Sequence, residues 1–482
     1  MKPRLALAVL LALTSCGSHN SGMVAVSVIG EMPMAADPAR GAVPLPVQTL
    51  NSALSQGLVA YNAAGEVVPA LAESWIVTDD GLSYIFRINR ATWSDGREVT
   101  AGEVAQALRA ALAPSSHHPL KPHFSGVSEI VAMTDRVLEI RLRTPLTIFL
   151  QLLAHPDMAI LHKTRGTGPF MAYRPYPKSL IIRRKFAKDA LKDLTEADLE
   201  ATDQRLRGEA ASSALVRYRF GDVSLVTGGT FDDWPLAQAG SFAATELRRD
   251  PVSGLFGLVS SATSPRLADV QMRKALAMAI DRSRLLARFG MSGWQPSEQL
   301  LPNTLGGAEA QDALDWPALD LDARRIKARG TVLAKPVAQR TVTIWLPNGP
   351  GGRILFAQLK ADWAYIGLTL VRAQTAATAD LRVVDQVSPL NAAGWFFSRL
   401  ACATNIQCSP QADQALADAR ATLDMNVRGT RLKEAEQYLT RAQIFIPIAQ
   451  PLRWSLVSPK MAGFRENATG FHTLAALRWA VN

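Results

Sequence analysis

Cysteine is nearly absent. Three residues in a chain of 482, at positions 16, 402 and 408, exclude both a disulfide scaffold and an array of thiolate metal sites. Histidine is scarce too, at seven residues, and the chain contains neither His-Glu-x-x-His nor Gly-x-Ser-x-Gly. A zinc-hydrolase signature and a serine nucleophile elbow are therefore both missing. No fixed period or low-complexity tract marks a solenoid or a disordered chain, although 32 glycines and 28 prolines punctuate it throughout. A bilayer span needs about 20 apolar residues, and the opening apolar run, Leu5 to Leu13, stops well short of that.

What is present points to a multidomain body. The chain is too long for one core, and with 48% apolar residues it predicts two or three packed domains. Its formal charge of +10 comes from 52 basic residues interleaved with 42 acidic ones, without a concentrated arm, so nucleic acid is not an expected partner. Lys2 and Arg4 precede the apolar run, and Leu13-Thr14-Ser15-Cys16-Gly17 follows it, which is the pattern of an export signal over residues 1–16. The last part resembles a bacterial lipobox, which implies acylation of Cys16 and attachment of the exported chain to a membrane by its lipid. An oxidising compartment then permits a Cys402–Cys408 bridge, a short loop stabilised by roughly 2 kcal/mol.

Along the mature chain, Val24 to Ile29 is a short β-rich run. Gln56 to Tyr61 reads as a helix end, Gly65 to Trp75 as a turn and a strand, and Asp79-Asp80-Gly81 as a turn. A second strand follows, whose Leu82, Tyr84, Phe86 and Ile88 alternate toward one face. Asp269 N-caps a helix with Met272, Leu276, Ala279 and Ile280 on one side. Val342 to Leu346, the turn Asn348 to Gly352, the helix Arg353 to Ile366 and the strand Leu368 to Val371 form a βαβ unit. Its glycine-rich turn lacks the Lys-Ser/Thr of a phosphate loop and reads as a plain strand-to-helix connection. His117, His118 and His123 read as an exposed turn remote from any cleft and not as metal ligands.

Five landmarks carry a resemblance. They are Gly57-Leu58-Val59 through Trp75 with Asp80-Gly81 and Ser94-Asp95-Gly96, Thr100 to Val104, Thr164-Arg165-Gly166-Thr167-Gly168-Pro169-Phe170, Gly221-Asp222-Val223 through Val226, and Val270 to Arg282. In that order they resemble the extracytoplasmic solute-binding proteins of family 5, the peptide and nickel importer type. The resemblance implies an α/β, two-lobed periplasmic binding protein fold of type II with an extra subdomain in the first lobe. It divides the chain into 24–49 (lobe one), 50–165 (extra subdomain), 166–251 (lobe one), 252–453 (lobe two) and 454–482 (lobe one again). It also implies a monomer without cofactor, metal or catalytic residues, which captures a peptide or similar small solute and delivers it to the permease subunits of an ABC importer. The alternatives are a nickel chelate, sugar or opine as ligand, or a structural role in the envelope.

For the site, Asp385-x-x-x-Pro389 is followed by Trp395-Phe396-Phe397 and the two cysteines, as in dipeptide binders whose aspartate pairs with the ligand's α-ammonium group. The resemblance thus assigns Asp385 to the ammonium and Trp395 to a side-chain pocket. A surface turn cap for the first and a core position for the second remain the alternatives.

Overall fold

The computed structural model describes residues 22–93, 96–161, 166–176, 178–186, 189–307 and 314–480. Cys16, and Ser94, Asp95, Thr164 and Arg165 of the motifs above, lie outside them. The strand Val24–Ile29 sits inside a seven-stranded sheet, parallel to both Gln204–Glu209 and Leu225–Gly229. A strand covered on both faces must be apolar almost throughout, and this one offers Val24, Val26 and Val28 to the core. The same sheet takes Trp454–Val457, close to the carboxyl end, between Leu225–Gly229 and Leu247–Arg249.

A four-stranded antiparallel sheet, ordered Ala72–Val77, Ser83–Ile88, Val137–Leu142, Val127–Thr134, forms the extra subdomain. Tyr84, Phe86 and Ile88 are buried on one face, as the period-two pattern predicts. The helix Ala101–Leu112 begins with a reciprocal cap between Thr100 and Glu103. The segment expected to end a helix is instead the strand Val59–Tyr61, paired in a hairpin with Val67–Pro69. The preceding helix stops at Leu54, and Gly65, at φ +80°, turns the chain back, so Val59 and Tyr61 become buried strand positions.

The second lobe is a five-stranded mixed sheet in the order Thr369–Arg372, Thr341–Trp345, Leu381–Val387, Gly254–Ser260, Phe445–Ala449. Its core strand Gly254–Ser260 is buried at all seven positions. The helix Val270–Ala279 starts at Asp269, whose carboxylate accepts from Gln271 N at 2.8 Å. Arg273 and Arg282 from this region are buried: Arg273 donates to the backbone carbonyls of Leu267 and Ala442, and Arg282 to the Pro447 carbonyl and, in an ion pair at 2.9 Å, to Glu298 Oε1. These basic residues of the Val270–Arg282 landmark thus hold the lobe together.

The chain crosses between lobes along two neighbouring segments. Leu247–Arg249 and Trp454–Val457 are antiparallel partners in the first sheet, and Gly254–Ser260 and Phe445–Ala449 are antiparallel partners in the second. The links between them, 250–253 and 450–453, run side by side, tied by Asp250 N to Arg453 O at 3.1 Å and Gly254 N to Gln450 Oε1 at 3.0 Å. Cys402 and Cys408 form a disulfide in the second lobe. Among the described residues no helix is long and apolar enough to cross a membrane.

The histidine turn differs from the expectation. His118 is buried, with Nε2 3.0 Å from Asp157 O and Nδ1 accepting from Leu120 N, and burial lowers its pKa. Asp157 lies 39 residues away in sequence, so the contact that buries His118 had no local signature. His123 is not remote from the cavities either, because it lines the larger one described below.

Candidate functional site

A cleft of about 650 Å³ lies between the lobes, with Thr230–Asp233 on the first-lobe side and Arg382–Gln386 on the second. Asp385 is on the strand Leu381–Val387, opposite Phe256 of the core strand, where the sheet meets the cleft. It does not present a free carboxylate. Its Oδ1 accepts from Arg453 Nη1 at 2.8 Å, while Arg453 Nη2 donates to the Asp385 carbonyl at 3.2 Å. Burial pushes the Asp385 pKa up, Arg453 works against that, and the charge of Asp232 adds to it. Arg453 belongs to one of the two interlobe links, so the residue assigned to the ligand is tied to the hinge.

Asp232 and Asp233, which sequence reasoning missed, stand beside it. Asp232 comes from the loop after Leu225–Gly229 and reaches across to the second-lobe helix Pro350–Tyr365. Its carboxylate accepts from Gly349 N at 3.0 Å and Gly352 N at 2.7 Å, and its carbonyl accepts from Gly351 N at 3.0 Å. That helix has no side-chain cap of its own, so the first lobe supplies the anion that its N-terminal amides and dipole favour. A Cβ on Gly351 would overlap the Phe231 carbonyl, and one on Gly349 would overlap the Asp232 carboxylate. The glycine-rich turn is thus where one lobe's backbone seats on the other. Asp233 lines the cleft with its pKa pushed up to about 6, first by burial and then by the charge of Asp232, with Asp385 contributing.

Trp395 is not part of this cleft. Its ring is buried, meets Phe396 edge to face at 5.0 Å between centroids, and borders a separate apolar cavity. Asp385 and Trp395, assigned together from the sequence, therefore open onto different spaces. Arg453 and the Asp232-Asp233 pair carried no sequence signal, since an acidic pair after a strand ordinarily reads as a local helix cap.

Two α/β lobes, a double crossover and an interlobe cleft with half-buried carboxylates define a binding protein that holds a small ligand between its halves. The family model for bacterial extracellular solute-binding proteins, family 5, matches residues 66–399, and the chain belongs to that family. Di/tripeptide-binding protein 3 of Pseudomonas aeruginosa is 24% identical, with 96% of this chain and 97% of the relative covered. Among solved structures, Haemophilus influenzae OppA in complex with RPPGFSPFR superposes with a TM-score of 0.80 at 18% identity, over 95% of this chain and 99% of that one. The murein tripeptide binding protein MppA of Escherichia coli, 19% identical, superposes at 0.79, with 95% and 99% of the two chains covered. Its unliganded open form reaches only 0.65, with 95% and 98% covered, so the lobes here stand nearer the former arrangement.

Proposed function

We propose that this chain is the solute-capturing component of an ABC importer and works outside the cytoplasm, in the periplasm. It takes a peptide or similar solute with a primary ammonium group between its lobes and presents it to the permease subunits. The observation that carries the reading is the convergence of Asp232, Asp233 and Asp385 on one interlobe cleft, with Arg453 as the cation hydrogen-bonded to Asp385. An entering ammonium relieves the mutual repulsion of these carboxylates and ionises Asp233. Peptide-binding relatives at near full length support the same ligand class.

The sign of the pH effect follows. Asp233 is ionised above about 6 and protonated below it, while a peptide α-ammonium stays charged up to about pH 7.7. Affinity for a free-amine tripeptide is therefore expected to rise from pH 5 to pH 7, and an N-acetylated tripeptide is expected to bind weakly without that rise. Calorimetry across this range is the check. Equal affinity and equal pH response for the two peptides would overturn the ammonium assignment.

The proposed attachment is a lipid on Cys16, supported by the lipobox-like segment. Mass spectrometry of membrane-extracted protein is expected to show an acylated amino-terminal cysteine at this position. A mature terminus elsewhere would remove the anchor from the reading.

A further inference from the structure

The first lobe carries a second polar cluster, on the outer strands of its sheet, whose residues do not line the cleft. The hairpin of Phe170–Tyr176 and Ser179–Arg184 continues the sheet from Gln204–Glu209, the neighbour of Val24–Ile29. Arg205 stands across from Ile181 on one side and Ala25 on the other, and Arg207 stands across from Ser27. Side chains two apart on a strand share a face, so Ser179, Ile181, Arg205 and Arg207 project together. Tyr176, paired with Ser179, joins them, and the Arg205 guanidinium lies 4.7 Å from its ring centroid. Leu206 is paired with Leu180, which brings the next residues, Arg207 and Ser179, side by side with Cβ atoms roughly 5 Å apart.

These polar groups are buried and unanswered. Ser179 is 2% exposed and Arg207 7%, and neither Ser179 Oγ nor Arg207 Nε has a hydrogen-bond partner among the described residues. Arg205 Nε is in the same condition. The carboxylates that act on Arg207 are committed elsewhere: Glu209 accepts from Ser27 Oγ and from Arg217 Nε at 3.0 Å, and Asp222 lies 3.6 Å from Arg217. They reach Arg207 only through space, while burial first, and then the charges of Arg217 and Arg205, lower its pKa. Arginine does not escape burial by losing its proton. A buried guanidinium beside a second one, with no carboxylate of its own, is unfavourable until an anion joins them. Arg205 is half-buried and Tyr176 is exposed, so the cluster opens to solvent on their side.

We infer that Arg205, Arg207 and Ser179 form a binding site for a phosphoryl anion on the first lobe, outside the cleft, with Tyr176 at its rim. One guanidinium fork uses up both oxygens of a carboxylate, whereas a phosphoryl group has oxygens enough for two guanidinium groups and a hydroxyl. Such an anion has two sources, free phosphate or the phosphodiester of a lipid headgroup. Tyr173 and Tyr176 are exposed on the same edge strand beside Arg174, a pairing of aromatic and basic side chains suited to a headgroup layer. Val24, at the start of the neighbouring strand, follows Cys16 by eight residues, a reach of at most about 28 Å. The headgroup source rests on the proposed lipid at Cys16; the free-anion source does not, and neither depends on what fills the cleft.

Calorimetry with inorganic phosphate, dihexanoylphosphatidylglycerol below its micellar concentration and acetate, at matched ionic strength, separates the cases. The wild type is expected to bind a phosphoryl probe in preference to acetate, and Arg207→Met to weaken that binding at least about tenfold. Arg205→Gln, at a half-buried position, is expected to act in the same direction. Melting curves without anion are the second readout: Arg207→Met removes a buried charge that lacks a partner and is expected to raise the melting temperature. Phosphate bound and the diester not bound supports the site with a free anion as its ligand. The diester bound at least as tightly as phosphate supports it with a headgroup. Phosphoryl binding undiminished in both variants, a wild type that binds acetate as tightly as phosphate, or one that binds none of the three probes overturns the inference.

Discussion

Asp385→Asn is expected to weaken binding of a free-amine ligand by about 3 kcal/mol, on the order of a hundredfold, and also to lower the melting temperature of the unliganded protein. The second effect follows from the Arg453 pair, since the asparagine leaves a largely buried guanidinium facing a neutral group. Sequence alone suggests a carboxylate waiting for its ligand, whose removal would barely touch stability. The structure shows a carboxylate already engaged at 2.8 Å by a residue of the interlobe link. The double variant Asp385→Asn with Arg453→Gln is accordingly expected to recover most of the lost melting temperature and none of the lost affinity. Calorimetry and thermal unfolding of the two variants decide the matter. Wild-type affinity in the single variant would make Asp385 a purely structural partner of Arg453.

Gly351→Val is expected to have an effect of comparable size by a steric route. The helix Pro350–Tyr365 meets the first lobe through three backbone amides that donate to Asp232, and a side chain on Gly351 would collide with the Phe231 carbonyl, a backbone group that cannot swing aside. The lobes must separate locally or the helix must shift, at a cost of about 1–3 kcal/mol or more. Ligand affinity should fall more than tenfold, and solution scattering should show a more open molecule in the presence of ligand. Gly330→Ala is the control. Gly330 lies inside the helix Leu321–Leu333 with nothing near its added Cβ, so alanine there should stabilise by roughly 0.5–1 kcal/mol. A lower melting temperature for Gly351→Val with unchanged compaction would reduce the contact to scaffolding.

The elements that sequence predicted well are those whose reasons are local. The Asp269 cap, the Val24–Ile29 run and the alternation of Tyr84, Phe86 and Ile88 all stand in the structure. The βαβ unit is present too, as Thr341–Trp345, Pro350–Tyr365 and Thr369–Arg372 with parallel pairing of its strands. Its helix, however, begins three residues early, inside the glycine-rich turn, because its cap arrives from Asp232, 117 residues away. The same limit explains the site. Asp385 was visible through a motif, but Arg453 lies 68 residues further on and Asp233 much earlier. Nothing in periodicity or spacing marks residues that meet only when two lobes come together. Cys402 and Cys408 are the counter-example, six residues apart and joined as the spacing suggested.

The double crossover also sets the order in which the molecule can be made. Trp454–Val457 is hydrogen-bonded between two strands that precede it by about two hundred residues, so the first sheet keeps an unfilled slot until the whole second lobe has been delivered. Closing so long a loop is entropically slow, and the slot's two open edges stay exposed meanwhile. A chain made amino terminus first would thus hold its first sheet incomplete until the second lobe has been delivered. The strand Trp454–Val457 then acts as the clasp that commits it to the folded state.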